Sequence, residues 1–187
     1  MAVNSQMLEL GTALPEAKLP DVHDATVRAL HDFPGPALVV AFICKHCPYV
    51  QHVKEGLKAL GRDLAARDVP VVGIVSNDWD AYPDDTPESM AAEGYPFPVL
   101  ADETQEVARA FSAACTPDFF VFDGDRRLVY RGQMDDARPG NDVPVTAADL
   151  VTAVDAVLDG VPVPAEQKPS VGCSIKWRPG NEPNYSV

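Results

Sequence analysis

A continuous apolar run that ends in two cysteines constrains the fold of this chain more than any other stretch. Residues 37–43 read A-L-V-V-A-F-I, which is typical of a β-strand buried on both faces. Residues 48–67 follow with apolar side chains three and four positions apart, which predicts an amphipathic helix. Cys44 and Cys47 lie between the two elements. We therefore expect both cysteines at the point where a buried strand passes into a helix.

This placement predicts redox chemistry at the two cysteines. The unpaired N–H groups and the dipole of a helix N-terminus stabilise a thiolate, which is the form that attacks disulfides and peroxides. Two other interpretations stay open, namely half of a metal site and a pair of inert buried thiols. The strand-to-helix position favours the redox interpretation.

Length and charge exclude several classes of protein. The chain has 187 residues, which suits one domain over 1–187, with a core of about 20–160 and a wrapping tail at 161–187. Its net charge of −13 argues against nucleic acid or an anionic membrane as a partner. The first residues lack the pattern of a signal peptide, and we find no membrane span, so we expect a cytoplasmic location. A Cys-x-x-Cys motif there is catalytic or metal-binding more often than structural.

The predicted elements follow an order that defines the fold class. Short strands near 19–22 and 26–30 precede the buried strand and helix described above. The later elements are strands at 69–76, 98–101, 118–122 and 127–131 and helices at 86–93, about 102–111 and from 146. This order predicts an α/β fold, with a mixed central sheet, helices on both faces, an N-terminal extension and an extended C-terminal tail.

Two connecting segments carry more specific expectations. The 77–85 loop lacks the glycine and the terminal glutamate of an EF-hand, so we expect an acidic, solvated loop and no calcium site. In the alternative, Trp79 and Tyr82 line a substrate surface. Thr146 and Asp149 resemble a capping box, which predicts that their side chains cap the last helix.

Several motifs together carry a family resemblance. The chain resembles the thioredoxin-like superfamily and, within it, the alkyl hydroperoxide reductase/thiol-specific antioxidant family with its peroxiredoxin-like relatives. The resemblance implies a thioredoxin-like fold. The motifs are F-I-C-K-H-C-P-Y-V at 42–50, D-E-T-Q-E-V-A-R-A-F at 102–111, C-T-P-D-F-F-V-F-D at 115–123, L-V-Y-R-G at 128–132 and G-C-S-I-K-W at 172–177.

The resemblance allows two alignments of the cysteines. In one, Cys44 is the exposed nucleophile of a thioredoxin dithiol and Cys47 resolves it. In the other, Cys47-Pro48 matches the Cys-Pro of a peroxiredoxin nucleophile, and Cys44 replaces the threonine three residues before it. The second alignment places Pro48 at the first helical position, where its missing N–H costs nothing. We therefore favour Cys47 as the thiolate at the helix terminus and Cys44 as its reaction partner.

The segment Thr116-Pro117 resembles the cis-proline loop of thioredoxin-like proteins. The resemblance implies that this loop faces the dithiol and offers its backbone to an extended substrate, whereas an ordinary trans proline at the start of a strand is the alternative. Peroxiredoxins carry an arginine near this place that polarises the peroxide, and here Pro117 occupies it. Two peroxide-activating groups of that family are thus replaced, and disulfide exchange needs neither of them.

Other residues near these motifs have weaker assignments. Cys115 either approaches the dithiol or is a small buried hydrophobe, and Cys173 is either a distal resolving cysteine or a packing residue of the tail. His46 and Lys45 would lower the pKa of a neighbouring thiol. A zinc site that also uses His52 is disfavoured, because Cys-x-His-Cys is too cramped for the usual ligand spacing.

We therefore expect a thiol–disulfide oxidoreductase that uses the Cys44–Cys47 dithiol and needs no cofactor or bound metal. Its expected partners are protein or small-molecule disulfides and a cellular thiol reductant. The alternative is a peroxiredoxin-like thiol peroxidase with an antioxidant role, whose partners are peroxides and in which Cys44, Cys115 or Cys173 captures a sulfenic acid on Cys47. A metal-binding or redox-sensing module is the third hypothesis. The sequence does not specify an oligomeric state.

Overall fold

A mixed five-stranded sheet forms the centre of the protein. The structure is a computed structural model that describes residues 2–185. The strands run in the order β6-β5-β4-β8-β9, with β4, β5 and β6 parallel and β8 antiparallel to both β4 and β9. Their bounds are β4 Leu38–Phe42, β5 Val71–Val75, β6 Val99–Ala101, β8 Asp118–Phe122 and β9 Leu128–Gly132. The predicted mixed sheet is confirmed.

Helices cover both faces of this sheet, as the element order predicts. The core on one face contains side chains of α1, α2 and α4, and the core on the other contains side chains of α3 and of the N-terminal segment. The helices are α1 Pro48–Ala65, α2 Pro87–Ala91, α3 Glu106–Ala110 and α4 Ala148–Leu158. No helix within residues 2–185 has the length and apolar character that a membrane crossing requires.

Strand β4 explains why the apolar run is continuous and does not alternate. Val39 and Ala41 face the core that α1 covers, whereas Val40 and Phe42 face the opposite core. Successive side chains of a strand point to opposite faces, so a central strand between two cores needs apolar residues at every position. The strand ends at Phe42, directly before the cysteines.

Two small sheets join the N-terminal extension and the tail to this frame. Strand β10 lies between β1 and β7 and is antiparallel to both, and β2 pairs with β3. The bounds are β1 Ala2–Asn4, β2 Lys18–Pro20, β3 Val27–Ala29, β7 Cys115–Thr116 and β10 Val171–Ser174. The sequence predicted β2 and β3 but not β1, β7 or β10. The last two residues of the predicted tail, 186–187, lie outside the described residues.

The capping box predicted at Thr146 and Asp149 forms only in part. The Thr146 hydroxyl accepts from the backbone N–H of Ala148 at 3.3 Å, whereas the Asp149 carboxylate accepts from Gln133 Nε2 at 2.6 Å. Helix α4 starts after Ala147, which has a left-handed backbone with φ of +56° and offers no side-chain cap. Asp135 supplies the acceptor instead, because its Oδ2 accepts from the backbone N–H groups of Thr146 and Ala147, each at 2.7 Å. The Asp135 carboxylate thus adds two hydrogen bonds to the local contact that Thr146 makes at the start of α4.

Candidate active site

Cys47 lies at the N-terminus of α1. The helix begins with Pro48 at its first position, and Cys47 is the preceding residue with an extended backbone at φ −76° and ψ 122°. Proline suits this position because the first helical N–H has no partner within the helix. The predicted helix start is therefore confirmed, and Cys47 is the cysteine nearest the positive end of the helix dipole.

The Thr116–Pro117 segment lies directly against both sulfurs. Its peptide bond is cis, as the resemblance predicted. Cys44 Sγ is 3.1 Å from Thr116 Oγ1, and Cys47 Sγ is 3.2 Å from the backbone oxygen of Thr116. One residue at the end of β7 therefore contacts both members of the dithiol.

The two cysteines have opposite acid–base properties. Interaction with the Cys44 thiol is the largest cause that lowers the pKa of Cys47, to about 4, and the Cys173 thiol adds to it, while burial opposes both. The pKa of Cys44 is raised well above the ordinary value, by Cys47 first and then by burial and the charge of Asp85. The pair therefore holds one thiolate on Cys47 beside a thiol on Cys44, which is the arrangement needed for a nucleophile and its resolving partner.

Asp85 holds the backbone between the two cysteines. Its Oδ1 accepts from the backbone N–H groups of Lys45 and His46 at 2.7 and 3.0 Å. Its Oδ2 lies 2.5 Å from His46 Nδ1 and accepts from Asn77 Nδ2 at 2.8 Å. The residue is fully buried, at 0% exposure. Four donors around one carboxylate keep the Cys-x-x-Cys loop in a single conformation.

The prediction of a solvated loop at 77–85 is therefore wrong for the residues of this loop that lie at the site. Asn77, Asp78 and Asp85 are buried, and the Tyr82 ring stacks on His46 with a centroid distance of 5.3 Å. A usable signal was present, because this loop follows β5, which is parallel to β4. The carboxyl ends of parallel neighbouring strands meet at one edge of a sheet, so the loop had to approach the cysteines.

Cys173 reaches the site from the tail, whereas Cys115 does not face it. Cys173 on β10 pairs with Thr116 on β7, and its thiol interacts with that of Cys47. Burial and the neighbouring Cys47 raise the pKa of Cys173 to about 11. Cys115 precedes Thr116 on a strand, so its side chain points to the opposite face, where Sγ lies 3.7 Å from the oxygen of Pro117. Burial raises the pKa of Cys115 well above the ordinary value.

The sequence predicts that Lys45 and His46 lower the pKa of a neighbouring thiol, but in the structure their side chains interact with other residues. The Lys45 ammonium lies 3.9 Å from Glu93, and the imidazole of His46 is engaged with Asp85 and Tyr82. Neither residue is among the main causes of the lowered pKa of Cys47. The helix terminus and the neighbouring thiols stabilise the thiolate instead.

Within residues 2–185, one group of side chains has the donor atoms and the spacing to hold a metal ion. Donor atoms of Cys44, His46 and Asp85 lie within 4.8 Å of one another. However, both oxygens of Asp85 already accept hydrogen bonds from the loop that carries the cysteines. An ion would have to displace these donors, so the arrangement fits a structural carboxylate better than a ligand. His52, the fourth member of the disfavoured zinc hypothesis, is exposed and outside this group.

Comparison with known proteins agrees with this architecture. Residues 10–131 match the sequence profile of the AhpC/TSA family. Among curated proteins, no match to the chain is found. In combination with the thioredoxin-like fold, the family match indicates a redox protein of the thiol–disulfide oxidoreductase or peroxidase class.

Solved structures show the same fold at high and low identity. An uncharacterized conserved protein from Geobacillus kaustophilus is 51% identical over 96% of this chain and 98% of its own, with a TM-score of 0.94. A hypothetical protein from Sinorhizobium meliloti is 49% identical over 95% and 99%, with a TM-score of 0.92. AhpC from Mycobacterium bovis is 17% identical over 82% and 94%, with a TM-score of 0.59, a likeness of fold alone.

Proposed function

Because this chain belongs to the AhpC/TSA family, we propose that it is a thiol–disulfide oxidoreductase whose Cys44–Cys47 dithiol exchanges with protein or small-molecule disulfides. The observation that carries the proposal is the opposite ionisation of two adjacent cysteines. Cys47 has a lowered pKa at the start of α1, and Cys44 has a raised pKa beside it. One group is thus ready to attack, and the other keeps its proton until it is needed.

The exchange proceeds in two displacements. The Cys47 thiolate attacks one sulfur of a disulfide, so a mixed disulfide forms and the other sulfur leaves as a thiolate. Cys44 then loses its proton and attacks the Cys47 sulfur. The Cys44–Cys47 disulfide forms, and the second substrate sulfur leaves as a thiolate that takes up a proton. Two electrons pass from the dithiol to the disulfide, and a cellular thiol reductant reverses the change in the protein.

The surroundings of the dithiol support the role of Cys44 as resolving group. Thr116 Oγ1, 3.1 Å from Cys44 Sγ, lowers the pKa of Cys44 against the larger causes that raise it. When Cys47 enters a mixed disulfide it loses its charge, and the main cause of the raised pKa of Cys44 disappears with it. Attack by Cys47 therefore activates Cys44 for the second displacement.

The second candidate function is a thiol peroxidase in which Cys47 is oxidised to a sulfenic acid. The low pKa of Cys47 and its Cys-Pro position favour it, since peroxides also react with thiolates. Against it, Pro117 offers no charge or donor at the place where the resemblance implies an arginine. Reaction with a stoichiometric amount of hydrogen peroxide separates the two functions, because a peroxidase consumes it quickly and a disulfide reductase does so slowly.

The proposed function is tested by replacing the cysteines one at a time. Reduction of insulin disulfides with dithiothreitol as reductant is measured for the wild type and for Cys44→Ser, Cys47→Ser and Cys115→Ser. We expect Cys47→Ser and Cys44→Ser to fall to the rate without enzyme. Cys115→Ser is the matched control and should keep the wild-type rate, because its side chain points away from the dithiol. Wild-type rates in both Cys44→Ser and Cys47→Ser would refute the proposal.

A further inference from the structure

The sulfurs of the dithiol have no free surface at which a partner could be recognised. Cys44 and Cys47 each have 0% exposure. A substrate binds first to side chains that solvent can reach, so selection among small disulfides depends on the surface around the two sulfurs. A cleft at the edge of the site has side chains suited to this selection.

The cleft lies between the tail, the N-terminal segment and the 77–85 loop. Its volume is about 330 Å³, which is in the range of small-molecule sites. Tyr82 lines it, and the same ring stacks on His46, which lies between the two cysteines. Ser174 also lines the cleft, and it directly follows Cys173 on β10. The cleft therefore shares residues with two of the segments that enclose the dithiol.

Lys176 gives the cleft a positive charge that no carboxylate neutralises. Its Nζ donates to the backbone oxygen and the hydroxyl of Ser174, at 2.8 and 3.3 Å, and lies 5.8 Å from the centre of the Tyr82 ring. These groups are neutral, and Lys176 forms no ion pair within residues 2–185. Glu182 also lines the cleft, but it is exposed and accepts from a backbone N–H of its own turn at 2.7 Å. In a chain with 28 acidic and 15 basic residues, an ammonium without a carboxylate partner favours an anionic ligand.

The charge of Lys176 also acts on the edge of the redox site. Burial is the main cause of the raised pKa of Cys173, the Cys47 thiol adds to it, and the charge of Lys176 opposes both. The ammonium is therefore close enough to β10 to interact electrostatically with its cysteine. A ligand bound to Lys176 is held beside the strand that contacts Thr116.

The other side chains of the cleft suit an elongated molecule with a disulfide in its middle. Tyr82, Trp177 and Tyr185 present aromatic rings, which make favourable contacts with polarizable sulfur atoms. Asn4 and Gln6 are exposed, and their amide groups are able to donate hydrogen bonds to a second carboxylate. The lining therefore combines donors for anionic groups with apolar surface for the part between them.

We propose that this cleft binds a small disulfide that carries carboxylates, and that Lys176 determines the preference of the dithiol for such anionic substrates. The inference rests on the proposed function and specifies its substrate class. Lys176 binds one carboxylate, and the aromatic rings contact the disulfide. Exchange with Cys47 and then Cys44 follows the two displacements given above, so that two electrons pass to the substrate and both of its halves leave as thiols.

Three disulfides of similar length and different charge test this preference. They are dithiodipropionate, which is anionic, hydroxyethyl disulfide, which is neutral, and cystamine, which is cationic. Reduced protein, freed of reductant, is mixed with each of them, and formation of the Cys44–Cys47 disulfide is followed by alkylation and mass spectrometry. Each rate constant is divided by that of free dithiothreitol with the same disulfide, because the leaving thiols differ in reactivity. We expect the wild type to react fastest with dithiodipropionate on this scale.

Substitutions of Lys176 separate the specificity from the redox chemistry. Lys176→Gln should lower the anionic-to-neutral ratio of rate constants about fivefold or more, and Lys176→Arg should restore most of it. The backbone of Lys176 keeps its hydrogen bonds to Asn77 and Asp78 in both variants, so the tail should stay in place. Lys54→Gln is the matched control, because it removes one positive charge from α1 outside the cleft. An unchanged ratio in Lys176→Gln would overturn the inference and leave the dithiol proposal intact, whereas a wild type that reacts with none of the three disulfides would contradict the proposed function.

Binding of an unreactive analogue tests the cleft without any redox step. Suberate has the length and the two carboxylates of dithiodipropionate, with methylene groups in place of the disulfide. Isothermal titration calorimetry of the reduced wild type should show binding, with a Kd that is about fivefold or more higher in Lys176→Gln and unchanged in Lys54→Gln. Octanediol, the uncharged counterpart, should bind more weakly than suberate. No binding of suberate, or equal affinity for the wild type and Lys176→Gln, would refute the assignment of this cleft whatever the exchange rates show.

Discussion

Two walls enclose the Cys44–Cys47 pair, and they hold it by different physical means. The first wall is the 77–85 loop, whose Asp85 accepts hydrogen bonds from the backbone between the cysteines. The second wall is formed by the Thr116–Pro117 segment together with β10, which contacts the sulfurs through strand pairing and short neutral contacts. The first wall fixes the conformation of the site, and the second closes it to solvent.

A buried aspartate lies in the first wall, and another, Asp118, directly follows the Thr116–Pro117 segment of the second wall at the start of β8. Asp85 has four donors around its two oxygens. Neither oxygen of Asp118 has a hydrogen-bond partner within residues 2–185, and the nearby Ser170 hydroxyl donates to Gly132 O at 2.6 Å instead. Burial raises the pKa of Asp118 to about 8 although neighbouring groups partly oppose it. Burial without hydrogen-bond donors therefore favours the protonated, uncharged form of the Asp118 carboxyl.

The largest effect is expected from a substitution that removes the Asp85 carboxylate, the hydrogen-bond acceptor in the first wall. Asp85→Ala leaves the N–H groups of Lys45 and His46 and the Asn77 amide without their partner. We expect the free energy of unfolding to fall by about 3–5 kcal/mol, as for other broken buried charge networks. Urea denaturation measures it. Asp84→Ala is the control, because Asp84 is exposed next to Asp85. If Asp85→Ala lowers the free energy of unfolding as little as Asp84→Ala does, the first wall does not have the role assigned to it.

The second prediction concerns Asp118, the buried aspartate beside the second wall whose carboxyl oxygens have no hydrogen-bond partner within residues 2–185. Between the ordinary pKa of 3.8 and about 8, folded Asp118 keeps a proton that the unfolded chain has released. Stability should therefore fall as the pH rises through this window. Asp118→Asn removes the titratable group with little change of shape. We expect the free energies of unfolding of the wild type and of Asp118→Asn to diverge by on the order of 3 kcal/mol over this pH range. Urea denaturation at several pH values tests this, and parallel profiles would disprove it.

The third prediction concerns a substitution in the second wall that should displace β10. In Gly172→Ala the new Cβ would meet the backbone oxygen of Thr116, so β10 must move away from β7. We expect a loss of about 1–3 kcal/mol, as for other overpacked sites, and faster alkylation of Cys47 in the reduced protein. The control is Gly124→Ala, whose Cβ would be 3.5 Å from Pro36 O. Unchanged alkylation of Cys47 in Gly172→Ala would show that β10 does not close the site.

The smallest effect is expected at the contact between the second wall and Cys44. Thr116→Val keeps the shape but removes the hydroxyl, at a cost of about 1 kcal/mol. Because this hydroxyl lowers the pKa of Cys44, its loss should raise that pKa and slow the attack of Cys44 on a mixed disulfide at Cys47. Stopped-flow kinetics with a fluorescent disulfide measures the step. Thr152→Val, at an exposed position of α4, is the control, and equal rates of this step in Thr116→Val and Thr152→Val would contradict the assignment.

The first wall and the elements beside it show which features of the site local sequence patterns can predict. Sequence reasoning placed the strand, the helix and the start at Pro48 correctly, because each depends on neighbouring residues. It took the 77–85 loop as solvated, because a run of aspartates is usually exposed. Asp85 lies 40 residues from Lys45 in sequence, so its role depends on the parallel pairing of β4 with β5.

The second wall was harder to foresee. The cis bond at Thr116–Pro117 was expected from the resemblance, but β1, β7 and β10 were not predicted. These strands have two to four residues, too few for a recognisable alternation of apolar and polar side chains. They exist because the chain ends pair with each other and with the cis-proline segment, and this pairing is purely tertiary.

The sequence by itself determined the dithiol and its position. An apolar strand on one side, and proline followed by an amphipathic helix on the other, leave Cys47 at the helix terminus through local conformational preferences alone. Only the tertiary structure decided what surrounds the two sulfurs. Asp85 from one loop and Cys173 from the tail arrive through long-range strand pairing, and the contacts of the Cys47 sulfur with neighbouring thiols lower its pKa although burial opposes them. Desolvation and hydrogen bonding depend on residues brought together in space, and the order of residues along the chain does not encode them locally.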